Sequence, residues 1–447
     1  MNERWNNISP ESDMKQEGRF ESWINAEVIR FDTEESKRKY QERCTLIRDA
    51  VQMKKVPARI PICPSPGTFP LKYVGLKWID AMNDPEALAS AYKRYVDDFD
   101  PDTAGDGKAV LPSRLLELLD YKVIRWAGHG LGDNSEFQYI EYEFMKAEDY
   151  QDLIDDPTYW FLSVYFPRIF GSLEPLQRFP MLLPVNEMAG ILGLVMPFAS
   201  DEMSETLERL VTAGRETSNW ISRLDSIGRT IKTTGHPSIG GGFTKAPFDV
   251  IGDTLRSTRQ IMMDLFRRPE MVIEACERLT PIMVKAGIQA CNNSGNPMCF
   301  IPLHKGADGF MSNDQFLRFY WPTLRKVAIG LMDAGVVPLL FAEGEYNSRL
   351  ESITDLPKGK AIWFFDRTDM KRAKETVGKV SCIMGNFPLD VLYAGTPDEV
   401  RAYAGQLLDT AGKGGGYIFA AGAGMQDSKA DNVKAMIDFV KEYGVYR

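Results

Sequence analysis

MCFIPLH (298–304), VVPLLFAEG (336–344), AIWFFD (361–366), VSCIMGN (380–386) and YIFAAG (417–422) are short apolar runs bounded by polar or glycine-rich stretches. Between most of them lie segments of helical periodicity: 313–335, 369–378, 396–412 and 428–444. Continuous apolar strands alternating with amphipathic helices make βα units and a parallel sheet buried on both faces. Further candidates lie upstream, in VPARIPICPSP (56–66) and YKVIRWAG (121–128), with DPEALASAYKRYVDDF (84–99) as a helix capped by Asp84. No dinucleotide fingerprint follows the first strand, so the sequence predicts a closed (β/α)8 TIM barrel of the α/β class rather than an open doubly wound sheet.

The remaining segments dress that barrel. Residues 1–55 read as a polar N-terminal helical arm, solvated on one side and packed on the outside of the larger body. The barrel takes 56–447, with a helical insertion at about 136–235. The chain has 447 residues, 44% hydrophobic and 26% charged, which suffices for a large core without staples. Lys and Arg number 53 against 62 Asp and Glu, a net charge of −9 that argues against a nucleic-acid-binding face. The six cysteines form no CxxC pair, so neither a disulfide framework nor a zinc ribbon is indicated. A polar start and the absence of a long apolar stretch predict a cytoplasmic protein with no membrane segment.

In a parallel barrel, chemistry collects where the strands end. Those positions hold His304-Lys305, Glu343-Gly344, Asp366-Arg367, Cys382 ahead of Gly385-Asn386, and a small AAGAG run. Each has a bland counterpart. His304 could be a satisfied core histidine, Asp366-Arg367 a rim ion pair, and Cys382 a small hydrophobe. Glu343 leaves a deeply apolar strand, and an unpaired carboxylate there is expensive. Glu, His and Cys are competent zinc ligands, so His304, Glu343 and Cys382 form a candidate metal set, although no HExxH or CxxC supports it. The loop Gly240–Thr244 could approach an anion or admit a flat ligand. His129 and His236 are further rim candidates, and Phe243, Phe310, Phe341, Trp363, Phe364 and Phe365 supply aromatic surface.

HKGADGFMSNDQFLRFYWPTLRKV (304–327) and MGNFPLDVLYAGTPDEVRAYAGQLLD (384–409) resemble the uroporphyrinogen decarboxylase superfamily, as does GGGFTKAPFDVIGDTLRSTRQIMMDLFRRPEMV (240–272). The resemblance extends loosely to residue 56. It implies a TIM barrel, a decarboxylase or a cobalamin-dependent methyltransferase, and a homodimer formed through the barrel's face. The decarboxylase branch carries an arginine-rich segment after the first strand, whereas here no arginine lies between Arg59 and Arg94. Thiol-methylating relatives hold zinc with a His-x-Cys pair and a later Gly-Cys; the matching places read Phe341-Ala342-Glu343 and Gly422-Ala423.

The resemblance therefore implies a methyltransferase that moves a methyl group from an O-methyl or N-methyl small molecule to a corrinoid carried by a partner protein. Glu343, His304 and Cys382 would hold zinc, with Glu343 also catalytic. Lys305 or Asp366 would protonate or orient the departing oxygen. His129, Phe243, Phe341, Arg349, Trp363 and Arg367 would contact substrate. Two alternatives stay open: a decarboxylase of a small acid, clamped by Arg367, Lys305 or Arg349, and a non-catalytic barrel that binds a tetrapyrrole or corrinoid.

Overall fold

The computed structural model describes residues 7–105, 107, 109–180 and 187–446, so residues 1–6 of the arm and 181–186 of the insertion lie outside it. Nine strands occur among the described residues. A small side sheet is built from β1 (Ile124–Ala127), β2 (Gly130–Leu131) and β3 (Phe137–Tyr139). A parallel sheet runs in order through β4 (Gly242–Phe243), β5 (Met298–Leu303), β6 (Val337–Ala342), β7 (Ile362–Phe365), β8 (Cys382–Gly385) and β9 (Tyr417–Ile418).

Two irregular segments close this sheet into an eight-membered ring. Ile62 bridges Phe419 in parallel, with Cys63 N–H donating to the Phe419 carbonyl at 2.8 Å and Phe419 N–H to the Pro61 carbonyl at 2.9 Å. Asp102 N–H then donates to the Ile62 carbonyl, and Ala104 N–H to the carbonyl of Pro237, just ahead of β4. The fold is thus a (β/α)8 barrel, and its first member lies within the expected 56–66. The second member is not YKVIRWAG: β1 pairs only with β2 and β3, outside the ring. The polar stretch Asp102–Ala104 takes its place. The helix Asp201–Thr233, which packs on Pro85–Phe99, carries the chain back to β4.

Side chains alternate across each strand, and the register sorts them into two cores. Ile301, Leu303, Leu340, Ala342, Trp363 and Phe365 face outward and pack in the shell between sheet and helices. Met298, Val337, Leu339, Ile362, Phe364, Cys382, Met384, Ile418 and Ala420 face inward. The inner core also takes Phe20 and Trp23 of α1 (Ser12–Asn25) and Tyr40, Cys44, Ile47, Ala50 and Val51 of α2 (Glu34–Gln52). The arm is therefore a plug in the N-terminal end of the barrel rather than an external helix. Its backbone abuts the turns before the strands: a Cβ on Gly359 would lie 2.3 Å from the Gln52 carbonyl, and one on Gly335 would lie 2.5 Å from the Lys15 backbone.

Charges stitch the same end. Fully buried Asp102 accepts from both terminal nitrogens of Arg59 at 2.6 Å and from Ile62 N–H at 2.8 Å. Asp100 accepts from Arg43 of the arm at 2.5 Å, from Lys441 of the last helix at 2.7 Å and pairs with His236 at 3.1 Å. His236 thus belongs to this closed end and not to the mouth. Among the described residues, no helix is long and apolar enough to cross a membrane.

Removing Arg59 as Arg59→Met leaves the Asp102 carboxylate buried without its bidentate partner, and urea unfolding should lose about 3 kcal/mol. Burial alone would raise the pKa of both Asp100 and Asp102, but their cationic partners hold them below the ordinary value. Their stabilisation is therefore full above the unfolded carboxylate pKa, near 4, and falls away as the pH drops below it. The wild-type protein should lose stability over that acid range more steeply than Arg59→Met.

Candidate functional site

Continuing the inward columns past the strand ends gives the mouth: His304 above Pro302, Glu343 above Phe341, Asp366 above Phe364, Asn386 above Met384 and Gly422 above Ala420. His304 is the centre of this set. Its Nδ1 lies 2.7 Å from Asp253 Oδ2, and its Nε2 lies 3.5 Å from Glu343 Oε2 across the opening. Asp253 also pairs with Lys245 Nζ, and its Oδ1 lies 3.5 Å from Lys305 Nζ. Four residues earlier, fully buried Asp249 accepts the main-chain N–H groups of His304 and Lys305 and the Tyr320 hydroxyl.

Asp249 and Asp253 were not singled out in the sequence. Both follow β4 in the stretch Pro247–Leu255, where the helix widens and Arg256 N–H bonds back to the Ile251 carbonyl. Such single-turn widenings recur at functional sites. The legible signal was PFDVIGD itself, with two acids one helical turn apart just beyond a barrel strand.

The electrostatics follow from burial and neighbours. Burial alone would disfavour a charged His304, but Asp253 and Asp249 outweigh it and hold the imidazolium above the ordinary histidine value. Asp253 is held well below the usual carboxylate range, its burial overcome by His304 and Lys245. Asp249 moves the other way, pushed up by burial and by the Asp253 charge. Burial also raises Asp366, whose Oδ2 accepts from Gly344 N–H at 3.0 Å.

Beneath these groups runs an aromatic wall. Phe243, Phe300, Phe341 and Phe364 follow one another with ring centroids 6.5, 5.9 and 4.6 Å apart, on four neighbouring strands. Phe243 is 56% exposed and opens the wall to solvent. Alongside, a groove of about 810 Å³ leaves the mouth between Asp366, Asn386 and Tyr403.

Other expected site residues lie elsewhere. Cys382 faces inward but pairs in register with Ile362, four residues and about 13 Å below the level of Asp366. Burial pushes its thiol up to about 12. The proposed zinc donors therefore do not converge. His304 and Glu343 face each other, Cys382 does not reach them, and catalytic zinc takes three protein ligands. No group of three or more His, Cys, Asp or Glu side chains among the described residues is arranged to hold a metal. These residues do not fit a zinc site.

Trp363 points outward, fully buried, between Trp321 and Phe365. Arg349 is also buried; it donates to the Gly306 and Met311 carbonyls and braces the loop after β5. His129 stacks on Trp126 in the side sheet and pairs with Glu117. Arg367 is exposed on the rim, 3.9 Å from Asp366. Lys305 is largely buried, its Nζ 4.9 Å from the Phe310 ring centroid. The glycines before Phe243 serve packing: a Cβ on Gly241 would lie 2.2 Å from Asn296, and one on Gly242 would lie 2.5 Å from Cys291 Sγ.

Residues 200–443 match the family model described as uroporphyrinogen decarboxylase (URO-D). The uroporphyrinogen decarboxylase of Psychromonas ingrahamii is 24% identical over 295 residues, covering 61% of this chain and 81% of the relative. That of Mus musculus is 26% identical over 306 residues, covering 61% and 80%. Among solved structures, a methyltransferase from Methanosarcina mazei superposes with a TM-score of 0.58 at 17% identity, over 91% of this chain and 98% of that one, a likeness of fold.

Asp253→Asn removes the charge that faces His304 Nδ1 while keeping its size. The His304 pKa should fall by about 1–3 units, read from its ring proton signals in an NMR titration. The chain has only three histidines, so assignment is direct. An unmoved titration would show that Asp253 does not hold the imidazolium.

Proposed function

The chain belongs to the uroporphyrinogen decarboxylase family, and we propose that it is the methyl-transferring component of a corrinoid system, taking the methyl group from a methoxylated aromatic molecule. The acceptor is the corrinoid of a separate protein, which supplies the nucleophile. The observation that carries this reading is His304, its Nε2 opening on the mouth above a wall of phenylalanines and its Nδ1 backed by Asp253.

An ether oxygen leaves poorly as an anion, so breaking the methyl–oxygen bond calls for a proton donor on that oxygen. His304 fits the task because its neighbours keep it protonated above the usual range. As the bond breaks, its electron pair stays with the oxygen, which takes the Nε2 proton, and the methyl group passes to the acceptor. Asp253 fixes the ring and its tautomer through Nδ1. Glu343, half exposed and 3.5 Å from Nε2, returns a proton to His304 from solvent. The aromatic wall holds the ring of the donor by stacking, with Phe243 at its solvent edge and Phe341 under Glu343. Lys305 faces Asp253 and supports its charge, leaving protonation to His304.

The decarboxylase reading loses one of its carboxylate clamps, since Arg349 is committed to the loop carbonyls.

The test is alkyl-cobalamin formation, followed by absorbance, from a panel of methoxyarenes and methylamines with reduced cobalamin. Methoxyarenes should react, and His304→Gln should lose about 10²–10⁴-fold in rate. Since the acid form is the active one, the rate should fall as pH rises through the raised His304 pKa. In Asp253→Asn that fall should begin at lower pH. Carbon dioxide release from a carboxylated substrate without any corrinoid would overturn the proposal.

A further inference from the structure

We infer that Asp249 is a positioning residue, fixing the main chain at His304 and Lys305 and thereby the direction of the imidazole into the mouth. The inference rests on the role proposed for His304.

The ladder between β5 and β6 ends at the pair Leu303 and Ala342. The next two N–H groups, those of His304 and Lys305, have passed beyond it. Asp249 supplies what the neighbouring strand no longer does: Oδ2 accepts from His304 N–H at 3.0 Å and Oδ1 from Lys305 N–H at 2.9 Å. A third donor, the Tyr320 hydroxyl, reaches Oδ2 at 2.6 Å from the helix that follows β5. The carboxylate is wholly buried, so these donors are what make its burial tolerable.

The backbone at this point has little freedom to turn. Tyr346 donates its hydroxyl to the Leu303 carbonyl at 3.1 Å. A Cβ on Gly306 would lie 2.7 Å from both the Tyr320 ring and the Tyr346 hydroxyl, so the chain passes tightly over the two tyrosines. One helical turn thus holds His304 twice, Asp249 by its main chain and Asp253 by its ring. The groups facing Asp249 are Asp253, His304, Tyr320 and Tyr346, with the Cys276 thiol beyond.

Asparagine at position 249 is nearly isosteric but offers one acceptor oxygen to three converging donors, and it turns an amide N–H toward another N–H. The test compares wild type, Asp249→Asn and Tyr320→Phe, with folding monitored by circular dichroism. The His304 ring Cε1–H signal is read by NMR in the free protein, and kcat and KM are read with a methoxyarene and reduced cobalamin. In folded Asp249→Asn the ring signal should shift and broaden and kcat should fall about 10- to 100-fold, with KM changed less than about threefold. Tyr320→Phe keeps the carboxylate and both main-chain bonds, so its ring signal should shift less and its kcat should fall about threefold. A folded Asp249→Asn with the wild-type ring signal and kcat would overturn the inference. Should that variant not fold, an unmoved His304 signal in Tyr320→Phe overturns it. If the wild type transfers no methyl group, the proposed function falls, while the ring signal still decides the role of Asp249.

Discussion

Two carboxylates one helical turn apart cannot both sit beside the core of a barrel unless donors are brought to them, and the end of β5 is organised around that demand. Asp249 takes main-chain donors and a tyrosine; Asp253 takes an imidazole and two lysines. Like charges so close push apart in their titration, and the structure divides them accordingly, Asp249 toward the neutral form and Asp253 toward the charged one. His304 inherits its charge from this division. The proposed proton donor is thus set by residues from the turn after β4 as much as by its own strand.

The barrel's alternation does the rest. The inward columns that end at His304, Glu343, Asp366 and Asn386 carry an apolar lower part and a polar last residue, so a floor of aromatic rings and a polar rim arise from the same strands. The arm makes this workable by sealing the opposite end with Phe20, Trp23 and Tyr40. With the lower end filled by these apolar side chains, the polar groups at the mouth stand over a packed core. Charge pairs stitch the closed end: Arg59 with Asp102 ties the first ring member to the second, and Arg43 with Asp100 fastens the plug beside the second.

Much of the barrel was legible because its last five strands are continuous apolar runs, a pattern that a parallel sheet covered on both faces imposes. The second ring member was not, since Asp102–Ala104 is polar and held by single hydrogen bonds rather than a ladder. YKVIRWAG carries the composition of a strand and forms one, in the side sheet, where no local feature distinguishes it from a barrel strand. His304 and Glu343 could be placed at one mouth from strand ends alone. Cys382 could not be placed correctly without the register, because it opens its strand rather than closing it. Trp363 and Phe364 are adjacent in sequence and face opposite shells, a distinction that only the phase of the strand decides. Asp249 and Asp253 lie on a short widened helix beyond a strand rather than at a strand end, so strand periodicity does not point to them.

The charge on His304 also bears on which methyl donor the proposed reaction would use. A methylated ammonium group already leaves as a neutral amine, so it needs no proton at the moment of transfer. A cationic imidazole beside it would add only repulsion, although carboxylates and aromatic faces would both attract such a cation. An aryl ether has the opposite requirement: it is neutral on binding, stacks on the phenylalanine wall and develops negative charge on the oxygen as the bond breaks. An imidazolium whose proton is kept by Asp253 and Asp249 is weakly committed to the neutral ground state and strongly to that developing charge. On this reasoning the two buried acids do more than orient a histidine. By keeping it charged above the usual range, they would favour oxygen over nitrogen as the atom that gives up the methyl group in the proposed reaction.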